Sequence, residues 1–273
     1  MDAERALVGG MDPGAGVVRV GDTVRRPAAP HSAAVRALLV HLAEVGFDGA
    51  PRSLGVDERG REVLTFLPGD VPLPPYPGWA LTDAALVALG RLLRRFHDAT
   101  AGFGPEVAGW SSEWSDPGGG PVVCHNDLFP ENVVFRDGLP VAFIDFAMAA
   151  PGRPFWDFAI AAQEWAPLTA PGSRLNHPDA LDGVRRTGLL ARAYGVEPGR
   201  AEELVDVVAE ERAHAIGHVR DEAAAGREPW ASFWRSTDGE RRAAADDAWL
   251  LRSRSALVAA VGAPRVPDVP SEK

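Results

Sequence analysis

The chain has 273 residues, 46% of them hydrophobic, which is enough apolar material for one large or two small packed cores. A formal net charge of −10 argues against nucleic acid as a main partner, and no apolar run approaches the length of a membrane span. The opening MDAERALVGG lacks the basic start and apolar core of a secretory signal, and the single cysteine, Cys124, excludes an internal disulfide framework, so a reducing cytoplasmic setting is expected.

Residues 1–70 carry eight Arg against ten acidic residues, and the remainder twenty basic against twenty-eight acidic. The acidity thus lies in the second part, where it either suits a cationic substrate or serves as ordinary solubility charge. Lysine occurs once, as the last residue, Lys273.

In chain order, Gly9, Gly10, Gly14 and Gly16 form a glycine-rich entry without the G-x-G-x-x-G spacing of a phosphate loop. Residues 17–20 and 23–26 read as strands joined at Gly21-Asp22. Residues 32–45 place Val35, Leu38, Leu39 and Leu42 on one helical face, with Ser32 as its cap. Residues 54–67 read as a hairpin turning over 57–60, and the Pro-rich PGDVPLPPYPG then separates this mixed unit from a mostly helical remainder. Residues 82–99 carry Leu86, Leu89, Leu92, Leu93 and Phe96 at helical spacing, with His97 as a packing residue. Further helices are expected over 155–165, 180–194, 200–225 and 240–260, and residues 263–273 as a mobile tail.

The densest chemistry lies between these helices. Residues 121–124 are an apolar strand, with Cys124 as a small core residue. The sequence His125-Asn126-Asp127-Leu128-Phe129-Pro130-Glu131-Asn132 comes next, in the spacing H-x-D-x-x-x-x-N. Residues 133–135 and 141–144 read as the arms of a hairpin turning at Asp137-Gly138. Asn132 then begins one arm and Asp145 ends the other, so Asp127, Asn132 and Asp145 converge. Three oxygen-bearing side chains so placed suit Mg²⁺ and a phosphoryl group. Each element alone is weak evidence; the conjunction in fixed register is strong.

The segment VVCHNDLFPENVVFRDGLPVAFIDFAMAAPGRPFWDFA resembles the aminoglycoside phosphotransferase and choline kinase family, strongly over residues 121–162 and moderately over 33–100. The resemblance implies an α+β, two-lobed protein-kinase-like fold. Its small N-lobe (1–69) pairs an antiparallel sheet with a helix and binds the nucleotide; its larger, mainly helical C-lobe spans 70–273. It implies ATP or GTP with Mg²⁺ as cofactors, Asp127 as catalytic base, Asn132 and Asp145 as metal ligands, and the hinge backbone at Thr65, Phe66 and Leu67 as the adenine contact. His125 is then structural, and Asp157 either braces the catalytic loop or simply caps its helix.

One part of the family pattern is missing. Kinase-like enzymes hold the α- and β-phosphates with a strand Lys positioned by a helix Glu. Here Arg25 or Arg26 occupies the strand, and the helix position aligned with the Glu is Val35; Glu44 lies at the wrong end. Arginine is always charged and binds phosphate bidentately, but adjacent strand residues face opposite sides, so the sequence leaves open which of the two is used.

The expected function is Mg²⁺-nucleotide-dependent transfer of a γ-phosphoryl group to a hydroxyl of a small molecule: an aminoglycoside, amino alcohol, sugar or natural product. Acidic residues on the 200–225 helix, Asp206, Glu210 and Glu211 first, either form a face for a cationic acceptor or are a solvated surface. Trp230, Phe233 and Trp234 beyond them either stack on a ligand or pack internally. Two other classes stay open: a kinase-like immunity or resistance protein that binds without turnover, and a phosphohydrolase using the same carboxylates. The latter class normally has more His and carboxylate ligands than this segment provides.

Overall fold

The computed structural model describes residues 3–7, 16–103 and 107–264. Gly9, Gly10, Gly14 and the tail from 265 onward, Lys273 included, lie outside the described residues; Gly16 adopts a positive φ of 67°.

The first part of the chain forms one antiparallel sheet and a helix. Strands β1 (Arg5–Ala6), β2 (Val18–Val20), β3 (Thr23–Arg26), β4 (Ser53–Val56) and β5 (Glu62–Thr65) take the order β1-β2-β3-β5-β4. Helix α1 (Ser32–Glu44) buries Val35, Leu38, Leu39 and Leu42, the face expected from their spacing. Its cap differs from expectation. The N-cap position is His31, which makes no side-chain cap bond, and the Ser32 hydroxyl instead accepts from the Ala29 N–H at 2.9 Å. Ser32 therefore fastens the preceding turn.

The second part is mainly helical. Helix α2 (Asp83–Thr100) starts at Thr82, whose hydroxyl accepts from the Ala85 N–H at 3.1 Å, an N-cap bond that satisfies one of the helix's unpaired donors. Strands β6 (Val122–Cys124), β7 (Val133–Arg136), β8 (Leu139–Phe143) and β9 (Ala150–Gly152) come next. Helices α3 (Pro154–Trp165), α4 (Gly183–Tyr194), α5 (Ala201–Ala224), α6 (Trp230–Ser236) and α7 (Gly239–Val261) complete the chain. Helix α2 packs on α4, α3 on α5, and α4 on α7. Strands β7 and β8 pair antiparallel through a turn whose residues, Asp137 and Gly138, both have positive φ (50° and 76°), as a tight two-residue hairpin requires.

Three elements are additions to the sequence reading. Strand β1 is two residues long. Strand β9 pairs antiparallel with β6, although its Ala-Pro-Gly sequence reads as a turn. Helix α6 is too short to show a period. Among the described residues no helix is long and apolar enough to cross a membrane.

The core runs through both parts. Leu38 and Leu39 of α1, Leu86 and Phe96 of α2, Phe143 of β8, and Trp156 and Trp165 of α3 belong to one buried cluster. Backbone bonds between Asp70 and Phe135, at 2.8 and 2.9 Å in the two directions, fasten the connecting segment to β7. Gly69 permits that approach, because a Cβ there would stand 2.4 Å from the Phe135 carbonyl oxygen.

Candidate active site

The site is built where β6 ends and the β7–β8 hairpin begins and closes. From Cys124 the chain enters a loop whose second residue, Asn126, has φ 62°, an uncommon conformation for a non-glycine residue. Asp157, fully buried in the first turns of α3, holds that loop. Its Oδ2 accepts from the His125 N–H at 2.8 Å and its Oδ1 from the Asn126 N–H at 3.0 Å. The helix N-cap is Arg153, so Asp157 is a loop brace and the simple-cap alternative falls away.

His97 adds a third contact to Asp157, at 3.0 Å from Nε2, while its Nδ1 lies 2.7 Å from the Tyr194 hydroxyl. With Nε2 donating to the carboxylate, Nδ1 accepts from the tyrosine O–H. His97 is thus a buried relay of packing and hydrogen bonds. Cys124 lies beside them, fully buried, its thiol pushed up by burial and donating to the Arg153 carbonyl oxygen at 3.4 Å. His97, Cys124 and Asp157 stand close enough to share an ion, but all three are already committed to bonds within the fold.

The His125 ring lies against Phe146 (centroids 4.6 Å apart) and donates from Nε2 to the Ile144 carbonyl oxygen at 3.0 Å. Burial lowers its pKa and keeps it neutral. That bond joins the loop to the residue before Asp145.

Asp127 and Asn132 are locked together. The Asn132 amide donates to the Asp127 carboxylate at 2.7 Å and to its backbone oxygen at 2.9 Å. Asn132 stands one residue before β7, and its carbonyl oxygen accepts from the Ile144 N–H at 2.9 Å, so the two ends of the hairpin meet as their register requires. Asp145 follows with φ 60° and a half-exposed side chain. Burial first, and the charge of Asp145 second, push the Asp127 carboxyl up to about 7, against the lowering effect of the Asn132 hydrogen bond. A carboxylate poised near neutrality suits a general base.

Arg26 reaches this group from the sheet. Its Nη1 donates to Asp145 Oδ1 at 3.2 Å and its Nε to Glu62 Oε2 at 2.9 Å. Arg25 points the other way, toward Asp57 at 3.9 Å. The strand pleat therefore puts Arg26, and not Arg25, on the Asp145 side of the sheet. At the hinge, the Thr65 N–H bonds to Arg52 and the Phe66 N–H to Asp22, while the Arg19 guanidinium covers the Phe66 ring at 3.6 Å.

The acidic residues divide. Asp206 pairs with Arg254 at 2.6 Å, and Glu210 with Arg153 at 2.9 Å, so both have local partners. Glu211 is buried, hydrogen-bonded by the Gln163 amide, and pushed up to about 7 by burial. Two carboxylates that the residue pattern did not single out lie closer to Asp127 in electrostatic terms. Glu164 is raised to about 8 by burial and by the charges of Glu131, Glu211 and Asp127. Glu131 accepts from the Tyr76 hydroxyl at 2.8 Å. No periodicity links residues 127, 131, 164 and 211; the loop, α3 and the α5 helix that packs on α3 bring the four into one charge-coupled series. The Trp230 ring tilts against Trp114 (centroids 5.5 Å apart) and Arg220 lies over Trp234 (5.7 Å), so these two aromatics have partners within the fold, while Phe233 is exposed.

These raised values carry a sign. Asp127, Glu164 and Glu211 bind protons more tightly folded than unfolded, so their contribution to stability is complete below about pH 4 and is lost as pH rises through about 7 to 8. The ligand-free protein should lose stability between pH 5 and 8, and Glu164→Gln should flatten that decline, as read by urea midpoints across the range.

The candidate site thus consists of a loop Asp locked to an Asn at the start of a hairpin, an Asp at its close, and a strand Arg bonded to that second Asp. The chain belongs to the phosphotransferase enzyme family. The family model matches residues 106–204, and the trifolitoxin immunity protein of Rhizobium leguminosarum bv. trifolii is 33% identical over 261 residues, covering 90% of this chain and 94% of that protein. Solved structures share the two-lobed protein-kinase-like fold. A choline/ethanolamine kinase family protein from Mesorhizobium loti superposes with a TM-score of 0.60 at 17% identity, over 90% of this chain and 88% of its own. APH(2")-IIa in its gentamicin complex does so at 0.57 and 12% identity, over 94% and 93%.

Proposed function

We propose that the protein transfers the γ-phosphoryl group of a Mg²⁺-bound nucleoside triphosphate, ATP or GTP, to a hydroxyl of a small, cationic acceptor. The observation that carries this reading is the Asp127–Asn132–Asp145 set, with Arg26 bonded to Asp145. The donors fit a hard divalent cation: a half-exposed carboxylate on Asp145, and the Asn132 side-chain oxygen, whose amide nitrogen is already used on Asp127. When bound, Mg²⁺ would neutralise charge on the phosphates.

In this reading Asp127, fixed by Asn132, accepts the proton of the acceptor hydroxyl. Arg26 turns from Asp145 to the phosphate oxygens. The adenine ring takes its hydrogen bond from the hinge. Of the three hinge residues, Thr65, Phe66 and Leu67, it is Leu67 whose N–H makes no bond among the described residues. Asp157 keeps the loop amides in place. Catalysis is then mainly positioning and electrostatic stabilisation. The acceptor's positive charge is favoured by Glu131 and Glu164, both coupled to Asp127 through their charges, and a cation bound there would draw the raised Glu164 carboxyl toward its charged form. Asp206 and Glu210 would act farther out, and only once released from their arginines.

The similarity along nearly the whole chain to a protein named for trifolitoxin immunity supports a second reading, protection by binding a toxic molecule without turnover. Thermal unfolding separates a working nucleotide site from its absence. With Mg²⁺ and ATP or GTP at a hundredfold excess over Kd, wild type should gain about 2.7 kcal/mol of apparent stability. Asp145→Ala should lose that gain. No shift with either nucleotide in the folded wild type would sink the kinase reading and leave the binding one. Acceptor-dependent ADP release then distinguishes transfer from hydrolysis.

A further inference from the structure

The helix that faces the sheet offers no carboxylate to Arg26. Its inward positions are Val35, Leu38 and Leu39, all buried and apolar, and it has no acidic residue in its first turn; Glu44 is exposed near its far end. Glu62 takes up the task from another element. It stands on β5 directly opposite Arg26 of β3 in the antiparallel register, so the two side chains share one face of the sheet. Its side chain is 1% exposed, a burial that a carboxylate tolerates only with a strong partner. One oxygen, Oε2, accepts from Arg26 Nε at 2.9 Å, while Oε1 is buried without a hydrogen-bond partner.

We propose that Glu62 is the positioning residue for the nucleotide phosphates, anchoring Arg26 while its guanidinium moves between Asp145 and a phosphate. This rests on the nucleotide-dependent reading above. The guanidinium has five N–H donors in a planar fork. Nε is held by Glu62 and Nη1 by Asp145. When a metal claims Asp145, Nη1 loses that acceptor. The unfilled Oε1 then gives the fork a second seat on Glu62, as a bidentate pair, and the outward N–H groups are presented to phosphate oxygens. A strand-borne glutamate thereby does what α1, with valine at the matching position, does not.

The test measures equilibrium binding of Mg²⁺-ATP, Mg²⁺-ADP and adenosine to wild type, Glu62→Gln and Glu62→Asp, with unfolding curves to verify each fold. Glu62→Gln should weaken ATP and ADP by about 10- to 100-fold, the effect of losing a charge-assisted contact, with adenosine affinity unchanged. If the glutamine variant does not fold, Glu62→Asp retains the charge but draws it back by one methylene, and should show the same phosphate-selective loss. ATP affinity equal to wild type in the folded variants would overturn the role of Glu62 alone. So would equal weakening of adenosine and ATP, which marks a merely structural residue. Failure of wild type to bind any of the three ligands would overturn the nucleotide reading, and this proposal with it.

Discussion

Asp127→Asn should lower kcat by about 10²- to 10⁴-fold, the usual contribution of a positioned general base, while leaving nucleotide affinity near wild type. The asparagine keeps the shape of the side chain but cannot accept the acceptor's proton. Its environment sets the pH dependence as well. Burial and the neighbouring charge of Asp145 push the Asp127 carboxyl up to about 7. Below that pH the carboxyl is protonated and cannot serve as base, so kcat/KM should fall tenfold per pH unit on the acid side of a midpoint near 7. In kcat the midpoint should move lower, because Mg²⁺ and a cationic acceptor beside Asp127 favour its charged form. A pH profile flat from 5 to 8, or an asparagine variant with ordinary turnover, would remove Asp127 from the mechanism.

Asp157→Ala should destabilise the protein by about 3–5 kcal/mol, a large share of the 5–15 kcal/mol typical of a folded domain. The carboxylate is fully buried and serves three donors: the His125 and Asn126 amides and the His97 ring. Removing it leaves those donors unpaired in a water-free site, and each unpaired donor costs about 1–3 kcal/mol. It also frees Asn126 from its positive-φ conformation, so Asp127 loses its fixed position. Urea denaturation should show a lowered midpoint at unchanged slope, and residual activity should fall with it. Asp157→Asn should be intermediate, since an amide keeps one acceptor oxygen and turns a donor toward a backbone N–H. A midpoint within 0.5 kcal/mol of wild type for the alanine variant, about the range of ordinary surface substitutions, would show that the loop does not depend on this bond network.

The catalytic loop was legible in the sequence because its geometry is local. The spacing from Asp127 to Asn132 and the Asp137-Gly138 turn fix a hairpin, and a hairpin fixes which residues meet at its open end. The helical faces of α1 and α2 were legible for the same reason, since periodicity of 3.6 residues is written along a single element. The cap of α1 was not, because the preceding turn, through the Ala29 N–H, claimed the Ser32 hydroxyl. Strand β9 was hidden because its pairing with β6 is a contact across 26 residues or more, and Ala-Pro-Gly carries no strand signal of its own.

By itself the sequence determined the two kinds of structure on either side of the Pro-rich connection, the convergence of Asp127, Asn132 and Asp145 at the open end of the hairpin, and the absence of a lysine for the phosphates. Tertiary structure alone decided which arginine reaches Asp145, since Arg25 and Arg26 differ only in the side of the sheet they face. It also decided that Glu62 is the partner of Arg26, that Asp157 gathers His97 and two loop amides, and that Glu131 and Glu164 are coupled through their charges to Asp127 while Asp206 and Glu210 are held by arginines. The physical reason is common to all of these. A hydrogen bond or a charge acts through space over a few ångströms, and residues 36, 60 or more positions apart acquire that proximity only when the sheet and helices have packed.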